Sequence, residues 1–285
     1  MKKMTIALLT AAAMGGSSLA LAADVTDPSI FGRIQYQLTD TDGSDFDGTM
    51  NSQHIGASGS ASGLLGGLDA SYYTRIGGDS DGTSVEYAYI NVGNEAVTAQ
   101  YGRNDDLVYQ FVDIHLDIDR AYGGAAAAVF NGADSFRVTS DFGGSPVTIG
   151  AYANDKGDNG INEIQFAGSV DLGAVALAAA YSDSDSTGED EFSFAANVDA
   201  GFASVRARVR ETDAGTNPIA LGAVAPLTPS TNLILIYGDD DADTNSKSDA
   251  YGEIRTDLGG GLDVYAGVRS GDNPTKVFLG SRWAF

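Results

Sequence analysis

Arg206, Arg208 and Arg210 stand at alternate positions, separated by Ala207 and Val209. Arg33, Arg137, Arg255, Arg269 and Arg282 lie on the polar faces of other alternating segments. A second charged set is acidic and falls in one long stretch, residues 104–133: Asp105, Asp106, Asp113, Asp117 and Asp119. In an extended chain successive side chains point to opposite faces, so arginines two apart share a face. If that face lines a water-filled passage and the acidic stretch lies across it, the two sets create a transverse field. Such a field orders water and orients dipolar solutes, and rings of charge set ion preference. The plainer alternative stays open for each residue: an arginine neutralised by a carboxylate on its own wall, or an acid that only ties the long stretch down.

Little else here could do chemistry. The chain has no Cys and two His, His54 and His115. Thiol catalysis, disulfides and Cys-type zinc sites are removed, and a multi-histidine metal centre cannot be built. A hydrolase would need a nucleophile, a base and an orienter, and neither histidine lies in a motif that supplies them. The chain reads as no enzyme. With 16 Lys+Arg against 39 Asp+Glu, the formal net charge is -23. A nucleic-acid partner is excluded, since displacing counterions from phosphate needs a basic surface.

The beginning of the chain is an export signal in form. Lys2 and Lys3 precede an apolar stretch at residues 6–14, and Ala20-Leu21-Ala22 reads as a cleavage site. Residues 1–22 are assigned as signal peptide and 23–285 as one transmembrane domain. The apolar stretch is shorter than the ~20 residues of a spanning helix.

The elements that must position the charges are strands. In residues 30–39, Ile30, Ile34, Tyr36 and Leu38 share one face and Arg33, Gln35, Gln37 and Thr39 the other. Phe192, Phe194, Ala196 and Val198 alternate with polar residues, as do Leu262, Val264, Ala266 and Val268. About sixteen such segments continue to the C-terminus with no helical domain between them, and their connections alternate between tight and longer, more acidic ones. Tight turns fall at 63–67, 93–96, 143–145, 172–173, 201–202 and 259–261. The longer set includes 40–51, 155–160, 183–190 and 239–247. Short turns at one rim and longer loops at the other are the order of an outer-membrane barrel. The fold class is therefore all-β, an antiparallel transmembrane barrel of about 16 strands. Closure pairs every backbone group, which lipid cannot do, and at this width water fills the lumen.

The connection at 104–133 is far longer than its neighbours and too apolar to float in water, carrying Leu107, Val108, Tyr109, Phe111, Val112, Ile114, Leu116 and Ile118. It is expected to fold inward as a constriction loop, with a short helix around residues 107–116. The acidic outer connections concentrate cations at the mouth. Asp239, Asp240 and Asp241 begin like a calcium loop, although Thr244 and Ala250 stand where an EF-hand needs Gly and Glu. Ca²⁺ or Mg²⁺ held there against lipopolysaccharide, or simply a solvated acidic surface, are the two readings. No other cofactor is implied.

At this point the sequence resembles the general diffusion porins of Gram-negative bacteria. Tyr101-Gly102-Arg103-Asn104, followed by Leu107-Val108-Tyr109 and Gly123-Gly124, resembles the family's fifth strand running into its third loop. Phe31-Gly32-Arg33 is similar to the first-strand motif, and Ile55-Gly56-Ala57-Ser58-Gly59 to the second. Gly280-Ser281-Arg282-Trp283-Ala284-Phe285 ends on the family's terminal aromatic. The resemblance implies a homotrimer in the outer membrane, in contact with lipid and lipopolysaccharide, that passes small hydrophilic solutes. It places Arg33 and Arg103 at the family's basic constriction positions and Asp113 and Asp117 among the acids of its third loop; the charge pattern adds Arg137, Arg206, Arg208 and Asp119 as candidates for the same constriction. Strict alternation turns Arg103 outward with Tyr101, so its place there requires a bulge. His54 stands where the family usually has Arg. The channel is expected to prefer cations. A substrate-selective channel is the alternative, with Tyr109, Phe111 and Tyr122 as an aromatic rail.

Overall fold

The computed structural model describes residues 24–43, 47–64, 67–79, 82–117, 133–142, 145–154, 161–185, 189–213, 215, 217–239, 248–272 and 274–285. Sixteen strands form one closed antiparallel sheet. They are β1 Ser29–Thr41, β2 Asp47–Leu64, β3 Leu68–Asp79, β4 Gly82–Gly93, β5 Val97–Asn104, β6 Ala133–Ser140, β7 Val147–Asn154 and β8 Glu163–Asp171. The ring continues with β9 Val175–Ser184, β10 Glu189–Asp199, β11 Ser204–Thr212, β12 Ile219–Thr228, β13 Thr231–Asp239, β14 Ser248–Gly259, β15 Leu262–Gly271 and β16 Lys276–Ala284. Each strand pairs with the next, and β16 returns to pair with β1 from Lys276↔Thr41 to Ala284↔Arg33. A two-residue strand, Asp24–Val25, pairs with the lower end of β2. No described helix is long and apolar enough to cross a membrane; the chain crosses with strands.

The register converts alternation into two surfaces. Tyr101, Phe136, Phe166, Leu177 and Phe194 point outward and are exposed. Large apolar side chains left this bare are a liability in water and the ordinary surface of a barrel in lipid. The opposite face carries Gln35, Gln37, Gln100, Asn154, Gln165, Ser193 and Glu253, all buried. Most arginines there have a carboxylate on the wall itself: Arg255 with Glu253 at 2.6 Å, Arg269 with Asp249 at 2.5 Å and Arg282 with Asp263 at 2.8 Å. For these the plain reading holds, an arginine neutralised by its own wall.

The tight rim repeats one device. In Asp171-Leu172-Gly173, Asp199-Ala200-Gly201 and Asp257-Leu258-Gly259 the aspartate accepts a hydrogen bond from the glycine N–H at 2.7–2.8 Å. The glycine takes φ of +81° to +83°, open to it and strained for other residues. Such an Asx turn reverses the chain in the fewest residues. At the other rim β2 starts earlier than alternation suggests, at Asp47 rather than near Gln53. Residues 47–52 hold a single apolar side chain, Met50, among polar residues and Gly48, so they carry no periodic signal, yet they pair with β1 through Thr39.

Two patches of the inner wall break the polar pattern. One is made of small residues, Ala167, Ala178, Ala180 and Ala195, beside Tyr152. The other is Ala220, Ile234, Ile236, Tyr251, Tyr265 and Phe278. Both are covered by the segment that follows β5.

Candidate functional site

That segment turns inward at Asp105. Helix α1, Leu107–Phe111, is followed by a single 3-10 turn at Asp113–His115. Asp106 caps α1, its Oδ1 accepting from the Tyr109 N–H at 2.7 Å. The barrel supplies a second cap. Gln165 Oε1 accepts from the N–H groups of Leu107 at 2.7 Å and Val108 at 3.2 Å. Gln165 is itself aimed by Glu163, which accepts its Nε2 at 2.7 Å, Asn154 Nδ2 at 2.6 Å and Ser182 Oγ at 3.0 Å. Orphan donors at a helix start need such partners. Here part of the cap is wall rather than loop, which fixes where the helix begins.

The underside of α1 then meets the alanine patch. Leu107, Val108, Phe111 and Val112 are buried against Ala167, Ala178, Ala180 and Ala195. Burying such side chains contributes about 1.5–3 kcal/mol each. The alanines leave depth for the helix. Gly150 lies under Leu107 so closely that an added Cβ would stand 3.0 Å from its Cδ2.

Beyond α1 the three arginines of β11 grip the loop. Asp113 is 1% exposed and takes Arg208 Nη1 at 2.9 Å and Arg210 Nη2. Arg206 Nη1 donates to the His115 carbonyl at 2.9 Å. Leu116, wholly buried, covers the second apolar patch. Burial, with Arg206 nearby, holds the His115 imidazole below its usual value. Asp117 emerges exposed and accepts the Tyr109 hydroxyl at 2.6 Å. The Tyr109 phenol is pushed up by burial and by this bond.

A basic wall lies within electrostatic reach of that carboxylate. Arg33 of β1 interacts with Arg282 of β16, Arg75 of β3, Glu86 of β4 and Asp117. His54 of β2 pairs with Arg33 in register and lies near the same arginines. Arg75 Nε is 2.5 Å from Glu86 Oε2, and its guanidinium sits 4.0 Å over the Tyr87 ring. At the loop root Asp105 accepts the Tyr87 hydroxyl at 3.0 Å and interacts with Arg137 of β6. Burial raises both root carboxyls, Asp105 and Asp106, to about 6. The arrangement is a passage with guanidinium groups on one side and carboxylates on the folded-in segment.

The expected site residues divide accordingly. Arg33, His54 and Asp117 come together at the aperture, and Arg137 stands on the inner wall near Asp105. Asp113, Arg206 and Arg208 form the clamp beneath the loop, so Asp113 does not project into the lumen. Arg103 is a correction. β5 pairs with β4 through Tyr101, Gly102 and Arg103 without a register shift, so Arg103 shares the outward face of Tyr101. Asp119 and Tyr122 lie outside the described residues, as do Asp240 and Asp241. Asp239 ends β13 on the face of the exposed Tyr237. Among the described residues no group of three or more His, Asp or Glu could hold a metal ion. Of the expected rail, Phe111 is buried against the wall and Tyr109 is tied to Asp117. Arg75 and Glu86 were not anticipated, although Tyr73, Arg75 and Gly77 alternate with Thr74 and Ile76. Gln165 and Glu163 carried no signal, because a buried wall amide reads like any lumen residue.

Comparison with known proteins agrees with this geometry. The barrel superposes on OmpF of Salmonella typhi, solved as a complex with daunomycin, with a TM-score of 0.74 at 15% identity, covering 90% of this chain and 97% of that one. An OmpT loop-deletion mutant from Vibrio cholerae gives 0.75 at 13% identity, covering 93% and 100%. An anion-selective porin from Comamonas acidovorans gives 0.71 at 17%, covering 92% and 100%. At these identities the likeness is one of fold. No curated protein sequence matches significantly. The family model for Gram-negative porins matches residues 7–276, nearly the full length, and the chain belongs to that family of outer-membrane channels.

Proposed function

We propose that the protein is a homotrimeric diffusion channel for small hydrophilic solutes and ions, exported through residues 1–22 as signal peptide and preferring cations. The observation that carries the diffusion reading is the pinned loop. A segment clamped by Asp113 to Arg208 and Arg210 is seated on the inner wall, with Asp117 within electrostatic reach of Arg33, which supports a fixed constriction rather than a gate. The trimer rests on the family and on the trimer form of OmpT from Vibrio cholerae, which shares the fold.

Cation preference rests on the net charge of -23 and on the acidic outer connections, which raise local cation concentration. The anion-selective porin of similar fold shows that the barrel alone does not decide the sign. Reconstitution into planar bilayers tests the reading. Steady ohmic conductance is expected, with a reversal potential in a KCl gradient on the potassium side. An anion-side potential removes the preference, and a bilayer that stays silent removes the channel.

A further inference from the structure

Among the described residues, two clusters of aromatic side chains on the inner wall differ in how far they are covered. Tyr251, Tyr265 and Phe278 are 1–4% exposed beneath Leu116. Phe31, Tyr73 and Tyr89 keep part of their surface open, and their register puts them on the face of Arg33 and Arg75. These three form a continuous stack across β1, β3 and β4. The Phe31 and Tyr73 centroids are 4.9 Å apart at 25°, and those of Tyr73 and Tyr89 are 5.3 Å apart at 13°. The run needs Gly56 on the intervening strand: a Cβ there would stand 2.3 Å from Phe31 Cζ, so the ring lies directly over the backbone. Tyr87 meets Tyr73 edge-on at 5.9 Å and carries the Arg75 guanidinium on its face.

Rings that stay half-buried on the lumen face forgo part of the burial that the Leu116 group obtains. They offer a flat apolar strip with π faces and edges, suited to another ring. Directly beside the strip, Arg33 lies within electrostatic reach of Arg75, which also pairs with Glu86, and of Arg282, which also pairs with Asp263. Guanidinium groups bind carboxylate in charge-assisted, directional hydrogen bonds. A strip for a ring beside a cluster for an anion describes one class of solute.

We propose that Phe31, Tyr73 and Tyr89, with Arg33 and Arg75, form a lumen subsite for aromatic carboxylates. The proposal rests on the channel reading and adds a solute preference to it. The ring lies along the stack and the carboxylate turns to the arginines. Sugars gain only the strip, and small aliphatic acids only the charge.

The test uses the purified full-length barrel in a planar bilayer, with benzoate, acetate, benzamide or glucose added to one side. Benzoate is expected to reduce the single-channel current at a concentration at least ten-fold below that of the other three. Tyr73→Leu and Phe31→Leu keep apolar bulk and lose the ring, and each is expected to raise the half-blocking benzoate concentration at least five-fold. Arg75→Gln is expected to do the same for benzoate and nothing for benzamide. Tyr72→Leu, on the outward face, is expected to leave the block unchanged. Normal conductance with benzoate and acetate equivalent, or block unaltered in both leucine variants, overturns the subsite while the channel stands. Absence of any conductance overturns both.

Discussion

Asp113 is the residue on which the constriction turns. Its carboxylate is buried between Arg208 and Arg210, so removing its charge takes the carboxylate from Arg208 and leaves Arg210 only Glu191, 3.4 Å away. Breaking a buried pair from one side costs about 3–5 kcal/mol. Asp113→Asn is therefore expected to loosen the 3-10 turn and raise open-channel current noise several-fold in bilayer recordings. A variant as quiet as the parent would mean that apolar packing alone holds the loop. Asp105 and Asp106 make a different prediction. Burial raises both to about 6, above the ordinary 3.8, so the folded loop root binds protons more tightly than the unfolded chain. Their ionisation opposes seating of the loop at pH above about 6, and that penalty is relieved as pH falls from 6 toward 3.8. Acidification from pH 7 to 5 thus removes negative charge beside the passage without releasing the loop. The reversal potential in a salt gradient is expected to move toward anions with a midpoint near pH 6, and Asp105→Asn should reduce the excursion. A flat profile between pH 7 and 5 would show these groups to be ionised throughout.

At the scale of the element, alternation of faces yields a paired test. Ala178 and Ala179 are neighbours in β9, one beneath α1 and the other on the outer surface with Leu177. Ala178→Phe overfills the seat of Leu107 and Phe111, pushing α1 into the lumen; single-channel conductance is expected to fall. Ala179→Phe adds one ring to a lipid-facing surface and should change nothing. If the two variants behaved alike, the assignment of faces would be wrong. This alternation was plain in the sequence because apolar and polar residues exchange at every step of strands such as residues 203–211. The helix was legible for a related reason, since an apolar stretch in a long connection must find a surface. The partners were not legible. Arg206, Arg208 and Arg210 look alike as lumen charges, and that they hold Asp113 and the His115 carbonyl depends on β11 standing where the loop lands. The Tyr101-Gly102-Arg103 motif misled for the opposite reason. A short resemblance suggested a lumen arginine, while the unbroken register of β5 obeys the alternation and turns it out.

At the scale of the whole molecule, the basic side of the passage exists only because the sheet closes. Arg33 and Arg282 are separated by nearly the whole chain, and it is the β16–β1 seam that sets them on one wall. The seam extends past the last strand, where Gly32 and Phe285 exchange N–H···O=C bonds at 2.8 and 3.0 Å. The Phe285 ring covers Gly32, 2.5 Å from where a Cβ would be, so a larger residue at 32 would displace the terminal aromatic. The chain has no cysteine of its own, which makes closure directly testable. Leu38 and Leu279 are register partners across the seam, and opposed residues of an antiparallel pair have Cα atoms about 4.5–5.5 Å apart, within the range a disulfide spans. The double variant Leu38→Cys, Leu279→Cys is expected to oxidise in the folded, detergent-solubilised protein. After heat denaturation without reductant, the cross-linked chain should migrate faster than the reduced one, because residues 38–279 become a covalent loop. The pair Leu38→Cys with Leu177→Cys, which are not register partners, should give no such band. If both pairs cross-linked equally, or neither did, β16 would not be fixed against β1, and the joint arginine wall at the aperture would have no structural basis.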